Sequence, residues 1–113
     1  MNQLSKLKCE ACSGDTPKLN SIEIQENIKK INNWTLNNDK EMIFKKFLFK
    51  SFKKALKFTN EVGQLAETES HHPDISLGFG YCLIMLHTHK IKSLSKNDFI
   101  LAAKIDELLN KHL

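Results

Sequence analysis

The chain has 113 residues, a formal net charge of +4 and a composition with 41% hydrophobic and 27% charged residues. These values predict one globular domain with a single modest core and argue against an intrinsically disordered chain. No apolar run is long enough to cross a bilayer and the start lacks the apolar core of a signal peptide, so we expect a cytoplasmic protein without a membrane partner.

The positive charge is spread along the chain rather than gathered into a binding motif. The densest group of lysines is Lys45, Lys46, Lys50, Lys53, Lys54 and Lys57. No aromatic side chains interleave with basic ones as in a nucleic-acid surface, so we interpret this group as a solvated face and expect no nucleic-acid partner.

The three cysteines do not predict a disulfide framework, because their number is odd and no secretory signal precedes them. Cys82 is interpreted as a small buried hydrophobic residue. Cys9 and Cys12 form a single C-x-x-C pair, whereas structural zinc normally needs four ligands. We therefore expect no metal, although a site that combines this pair with histidines remains an alternative.

Residues 1–19 are predicted to be an irregular tail, with Gly14 and Pro17 as breakers, and residues 20–113 to be the domain. The spacing of Asn20 and Glu23 is that of a capping box, and isoleucines at helical spacing follow it. A first helix is therefore predicted over 21–31.

Two strands are predicted next. Trp34 opens a short strand, and a turn at 37–39 leads into a second strand over 42–50 that is rich in aromatic and β-forming residues. The alternation of the second strand is imperfect, which is typical of a bulge.

Ser51 is a suitable N-cap for a long helix over 52–67. Its apolar residues occupy more than one side, which leaves two interpretations, a subunit interface or a thick core stripe. These residues are Phe52, Ala55, Leu56, Phe58, Thr59, Val62, Gly63, Leu65 and Ala66.

The helix must stop before His71-His72-Pro73, because Pro73 disfavours helical geometry at the preceding residue. Strands are predicted over 75–79 and 81–89. In the second of these strands, the residues at even positions from Cys82 to Thr88 form an apolar face. The residues at odd positions, which include His87 and His89, form the other face. His89 could thus return to the His-His corner, where imidazoles would suit proton transfer near neutral pH.

A last helix is predicted over 96–111, with Ser95 and Asp98 at capping-box spacing. The predicted order is α-β-β-α-β-β-α. Strands joined as hairpins and separated by helices favour an α+β fold rather than a parallel sheet.

The spaced pattern of Glu67, His71-His72-Pro73, Phe79, His89 and Asp98 resembles the motif of the pterin-4a-carbinolamine dehydratases. Trp34 and the 43–47 and 98–103 runs agree, so the resemblance covers roughly residues 22–109. It implies a four-stranded antiparallel sheet with three helices on one face, and a homodimer or homotetramer.

The resemblance also implies an activity: the elimination of water from a 4a-hydroxytetrahydropterin, which recycles the cofactor of aromatic amino acid hydroxylases. Such a hydroxylase is a possible partner, and no cofactor is expected. The hypothesis is that His71 and His89 share the proton transfers while His72 positions the ligand. An alternative is a protein-binding coactivator or dimerisation module on the same scaffold.

The other candidate residues each have a plainer interpretation. Glu67 and Asp98 are predicted to support the histidines, but Glu67 could be a solvated helix residue and Asp98 a helix cap. Pro73 and Phe79 are predicted to bind substrate, and an aromatic wall would suit a flat bicyclic ligand, although Phe79 and Trp34 could equally be core residues. His87 is predicted to be a surface or interface residue. His87 and His89 share a strand face in a way that would also suit a metal.

Overall fold

The computed structural model describes residues 3–10 and 14–111 and confirms the α+β order α-β-β-α-β-β-α. Its helices are α1 (Ser21–Ile28), α2 (Phe52–Glu69) and α3 (Lys96–Asn110). Its strands are β1 (Thr35–Leu36), β2 (Ile43–Leu48), β3 (Asp74–Gly78) and β4 (Tyr81–Leu86). Short 3-10 segments occur at Gln3–Lys6 and His89–Ile91.

The four strands form one antiparallel sheet in the order β1-β2-β4-β3. Because strand side chains alternate, one face of β2 and β4 is apolar and meets the helices. Its buried residues are Ile43, Phe47, Cys82, Ile84 and Leu86. The even-numbered face predicted for residues 82–88 is therefore confirmed as the core face.

The imperfect alternation of β2 has a cause other than a bulge. β2 pairs residue for residue with β4 over Ile43–Leu48, so the predicted bulge is wrong. Lys45 interrupts the pattern because it lies on the core side, where its Nζ is 2.8 Å from Asp106 Oδ1 on α3 and 2.7 Å from the Asn32 carbonyl oxygen. A lysine is tolerated there because its charge is paired and its donors are used.

The predicted caps are confirmed. The Glu23 N–H donates to Asn20 Oδ1 at 2.9 Å and the Asn20 N–H to Glu23 Oε1 at 3.0 Å, while Ser51 Oγ accepts from the Lys54 N–H at 3.1 Å. α1 ends at Ile28 rather than at residue 31. α2 runs two residues further than predicted, to Glu69, and Ser70 follows it in the left-handed conformation with φ +54°.

β4 is shorter than predicted, because it ends at Leu86 rather than at residue 89. The Thr88 N–H donates to the Ser93 carbonyl at 2.8 Å, which closes a tight loop, and His89 begins the 3-10 segment within it. At the other end of the β3–β4 hairpin, Phe79 and Gly80 form a two-residue turn. Gly80 has φ +77°, a conformation that a side chain disfavours.

The prediction of an irregular N-terminal tail is wrong for Gln3–Lys6, which form a 3-10 turn packed on α3. Leu4 is buried in the main core, and the Glu10 N–H and carbonyl both bond to the side chain of Asn97 at 2.9 and 2.7 Å. A buried leucine and a paired amide hold this segment in place. The division of the chain at residue 20 stays a prediction.

Within the described ranges, no helix is both long and apolar enough to span a membrane.

Candidate active site

All the predicted site residues except Phe79 lie where α2 ends, β3 begins, β4 ends and α3 begins. After the left-handed Ser70, the His71 N–H donates to the Ala66 carbonyl at 3.2 Å and so closes the last turn of α2. Pro73 then leads into β3 at Asp74. This backbone stop fixes the position of both adjacent histidines.

His71 and Asp98 form a buried pair. His71 Nε2 lies 2.7 Å from Asp98 Oδ1, and the two residues are 5% and 0% exposed. Because carboxylates only accept hydrogen bonds, the Nε2 proton points at Asp98 and the lone pair of the neutral ring is on Nδ1. A carboxylate in this position also stabilises the ring when it becomes charged.

The second oxygen of Asp98 is used by the helix cap. Asp98 Oδ2 accepts from the Ser95 N–H at 2.9 Å and from Thr88 Oγ1 at 2.8 Å. Capping and histidine support were predicted as competing roles for one side chain. The geometry shows that they do not compete, because each oxygen serves one of them.

His72 lies on the open side of the same corner. Its Nε2 forms an ion-pair contact with Glu67 Oε2, and the two side chains are 59% and 77% exposed. Glu67 is five residues earlier, in the last turns of α2, so the end of the helix places it beside the ring. Exposed pairs of this kind contribute little to stability, which leaves His72 able to change partners.

His89 lies beside a residue that was predicted to belong to the surface. His87 Nε2 is 3.0 Å from His89 Nδ1, with ring centroids 4.1 Å apart. One ring nitrogen of each histidine and a carboxylate oxygen of Asp74 lie within 4.8 Å of one another. His87 is half-buried, whereas Asp74 and His89 are exposed.

These contacts bring the three predicted histidines to one corner of the molecule. His71 is joined through Asp98 to Thr88, the neighbour of His89 in the chain. His72 is two residues from Asp74, so their Cα atoms are no more than about 7.6 Å apart. Of the three histidines, His71 is buried and His72 and His89 are exposed.

Phe79 is not part of this corner within one chain. It lies at the tip of the β3–β4 hairpin and is 78% exposed. The five residues of β3 separate it from Pro73, which corresponds to roughly 17 Å of strand. Trp34 is buried in the core and donates its indole N–H to Asp106 at 3.0 Å, so it forms no wall of a site in this chain.

Sequence reasoning missed Thr88 and Asp74. Thr88 belongs to the face that is predicted to be apolar. The sequence feature that sets it apart is its hydroxyl, the one hydroxyl among the even positions of 82–88. Asp74 follows Pro73 directly, but nothing in its spacing indicated that it would meet His87 and His89. Their proximity depends on the register of β3 against β4, in which Asp74 is opposite Met85.

The surroundings of Cys9 favour the protonated thiol. Burial, and then the negative charge of Glu69, raise the pKa of its thiol to about 12. Metals bind the thiolate, which is disfavoured here at neutral pH. Its partner in the C-x-x-C pair, Cys12, lies outside the described residues.

Comparisons with known proteins identify the family and the fold of the chain. The family model described as pterin 4 alpha carbinolamine dehydratase matches residues 17–108. A protein of Alkaliphilus metalliredigens is 48% identical over 108 residues, covering 95% of this chain and 96% of its own. A protein of Halorhodospira halophila is 42% identical over 105 residues, covering 93% and 96%. Both bear the provisional name of pterin-4-alpha-carbinolamine dehydratase.

Solved structures show the same fold. A transcriptional coactivator/pterin dehydratase from Brucella melitensis superposes with a TM-score of 0.77 at 25% identity, over 81% of this chain and 98% of that one. A pterin dehydratase-like protein identified as a RuBisCO assembly factor in the alpha-carboxysome has a TM-score of 0.59 at 27% identity, over 68% and 89%. The matched family model and the near full-length relatives together show that this chain belongs to the pterin-4-alpha-carbinolamine dehydratase family.

Proposed function

We propose that the protein eliminates water from a 4a-hydroxytetrahydropterin to give the quinonoid dihydropterin. The observation that carries the proposal is the buried His71–Asp98 pair with His72 and His89 at the same corner. Membership of the family and the names of the relatives support the same reaction.

The elimination requires two proton transfers. The departing 4a-hydroxyl needs a general acid, and the N5–H of the pterin needs a general base. An imidazole near its ordinary pKa can serve in either role. Two histidines in different protonation states would therefore supply both functions. After the elimination the base holds the N5 proton and the acid has given its proton to the departing water, so a proton passes from the base to the acid through solvent before the next turnover.

In the proposed division of roles, His71 and His89 transfer the protons and His72 positions the pterin, with Glu67 holding His72. Asp98 fixes the tautomer of His71, so that its Nδ1 carries the reactive lone pair. Pro73 contributes by setting the direction of the chain after the two histidines. Phe79 could bind a pterin only if another chain carried it to the corner, because of its distance along β3.

The product of this reaction is a form of the cofactor used by aromatic amino acid hydroxylases. We propose that the protein recycles that cofactor in the cytoplasm, which makes such a hydroxylase a functional partner. This role requires only diffusion of the pterin between the two enzymes.

The division of roles is tested by the kcat of His71→Ala, His72→Ala and His89→Ala. The substrate is generated in situ by a phenylalanine hydroxylase and its dehydration is followed by ultraviolet absorbance. Loss of a group that transfers protons should lower kcat by about 100-fold or more, whereas His72→Ala should mainly raise KM. If His72→Ala lowered kcat by far more than the other two, the division would be wrong.

A protein-binding role on the same scaffold is the second candidate, because the Brucella melitensis relative is described as both coactivator and dehydratase. The two functions separate in one comparison. A folded wild type that does not accelerate dehydration but co-purifies with a stoichiometric protein partner would favour the binding role.

A further inference from the structure

We propose that Asp74, His87 and His89 form a binding site for a divalent transition-metal ion such as Zn²⁺, at the exposed edge of the catalytic corner. Two imidazoles and one carboxylate are a ligand set that such ions use, with the remaining positions taken by water or substrate. The family's spaced motif includes His89 but neither His87 nor Asp74.

The distances suit a shared ion. One donor atom from each of the three side chains lies within 4.8 Å of the others. His87 Nε2 and His89 Nδ1 are 3.0 Å apart. Two nitrogens that each lie about 2.0–2.1 Å from one zinc ion are about 2.8–3.4 Å apart for bond angles between a right angle and the tetrahedral angle. An ion would therefore need little movement of the two rings.

The two ring nitrogens of His87 differ in their surroundings, because Nε2 contacts His89 whereas Nδ1 has no partner in the described part of the chain. Nδ1 of His87 is buried with no hydrogen-bond partner among the described residues. No contact at Nδ1 therefore selects the tautomer of His87, and the contact between His87 Nε2 and His89 Nδ1 needs a proton between these two nitrogens. A metal ion would replace that proton and satisfy both lone pairs.

The backbone holds the three ligands on one face of the sheet. Asp74 opens β3 opposite Met85, and His87 comes two residues after Met85, just beyond the end of β4. His89 follows at the first residue of the 3-10 segment. Asp74 and His89 are exposed, so an ion can enter from solvent.

The chemistry of the donors selects the class of ion. Imidazole suits zinc and the neighbouring first-row metals, whereas Mg²⁺ and Ca²⁺ prefer all-oxygen ligands. Zn²⁺ should consequently bind more tightly than Mn²⁺, and Mg²⁺ should not compete.

A bound ion would also affect the reaction, because it takes the lone pair that His89 uses. Zn²⁺ should inhibit dehydration and a chelator should restore it. This consequence rests on the proposed function, whereas binding itself can be measured without any activity.

The test is calorimetric titration of chelator-treated protein with Zn²⁺ alone, in a Cys9→Ser/Cys12→Ser background that removes the other candidate ligands. We expect one ion per chain. Asp74→Asn and His87→Ala should each weaken binding by about tenfold or more. Asp74→Asn is the cleaner change because its side chain is exposed, and circular dichroism confirms that each variant is folded.

His72→Ala is the matched control, since it removes an exposed histidine from the same corner but outside the cluster. It should bind Zn²⁺ as the parent does. The proposal is overturned if the parent binds no Zn²⁺, or if Asp74→Asn and His87→Ala bind it unchanged. It is also overturned if His72→Ala weakens binding as much as His87→Ala, because the ion would then have another ligand set.

Discussion

At the scale of single residues, the account depends most on Asp98, whose two oxygens join the helix cap to the predicted catalytic histidine. Asp98→Asn tests that link. An amide can still accept from the Ser95 N–H, but it offers His71 an NH₂ donor in place of an acceptor. The ring would then carry its proton on Nδ1 rather than Nε2, which is the wrong tautomer for the proposed base.

We expect Asp98→Asn to lower kcat by at least about tenfold and the free energy of unfolding by about 1–3 kcal/mol. Ser95→Ala is the matched control, because it removes the hydroxyl 2.7 Å from Thr88 Oγ1 while leaving the carboxylate on His71. It should lose stability but keep kcat. Equal losses of kcat in both variants would mean that Asp98 acts through stability alone.

Cys9 gives a prediction for alkaline pH. Its pKa is about 12 in the folded chain against 9.0 for the ordinary thiol, chiefly through burial. Above pH 9 the unfolded chain loses this proton before the folded chain does, which stabilises the unfolded state. The free energy of unfolding therefore falls as pH rises from about 9 towards 12. Below pH 9 the contribution is constant.

Thermal denaturation of wild type and Cys9→Ser between pH 7 and 10.5 measures this effect. The Tm of wild type should fall more steeply above pH 9 than that of the variant, which has no titrating group at position 9. Parallel curves for the two proteins would show that Cys9 is not buried in solution, and hence that the N-terminal segment does not pack as described.

At the scale of elements, the apolar residues of α2 bear on whether the chain associates with other copies of itself. Ala55, Phe58, Val62 and Ala66 are buried and form a core stripe. Phe52 and Leu56, one helical turn apart, remain 45% and 39% exposed. Leu56 also lines a shallow groove of about 370 Å³ along α2. We propose this face as the homodimer or homotetramer contact.

Sedimentation velocity at micromolar concentration tests this contact. Wild type should sediment as an oligomer, and Leu56→Glu should shift it towards monomer because a charge would be buried in the interface. Ile22→Glu on α1 is the control, since Ile22 is 70% exposed on a different helix. A monomeric wild type, or equal behaviour of the two variants, would refute the proposed face.

At the scale of the whole molecule, local signals predicted the elements well and their ends less well. Capping residues and periodicity are short-range, so Asn20, Ser51 and Ser95 marked helix starts correctly. The end of β4 was missed because it depends on two hydrogen bonds of Thr88, one from its N–H to the Ser93 carbonyl and one from its hydroxyl to Asp98. The docked N-terminal segment was missed for the same reason, since Asn97 is far from Glu10 in sequence.

Candidate site residues could be predicted where they belong to the spaced motif. They could not be predicted where their proximity depends on how two strands pair. The spaced motif pointed to His71, His72 and His89, and the fold brings them to one corner. It also pointed to Phe79, which the hairpin places at the far end of β3. The cluster of Asp74 with His87 and His89 required the pairing of two strands, which no sequence spacing expresses.

The most direct test of the central claim is the initial rate of 4a-hydroxytetrahydropterin dehydration with wild type, His71→Ala and His112→Ala. His112 is a histidine outside the spaced motif and serves as the control. We predict that wild type and His112→Ala accelerate the reaction and that His71→Ala loses at least about 100-fold of that rate. A folded wild type that leaves the uncatalysed rate unchanged, or a His71→Ala variant as active as wild type, would contradict the proposed site.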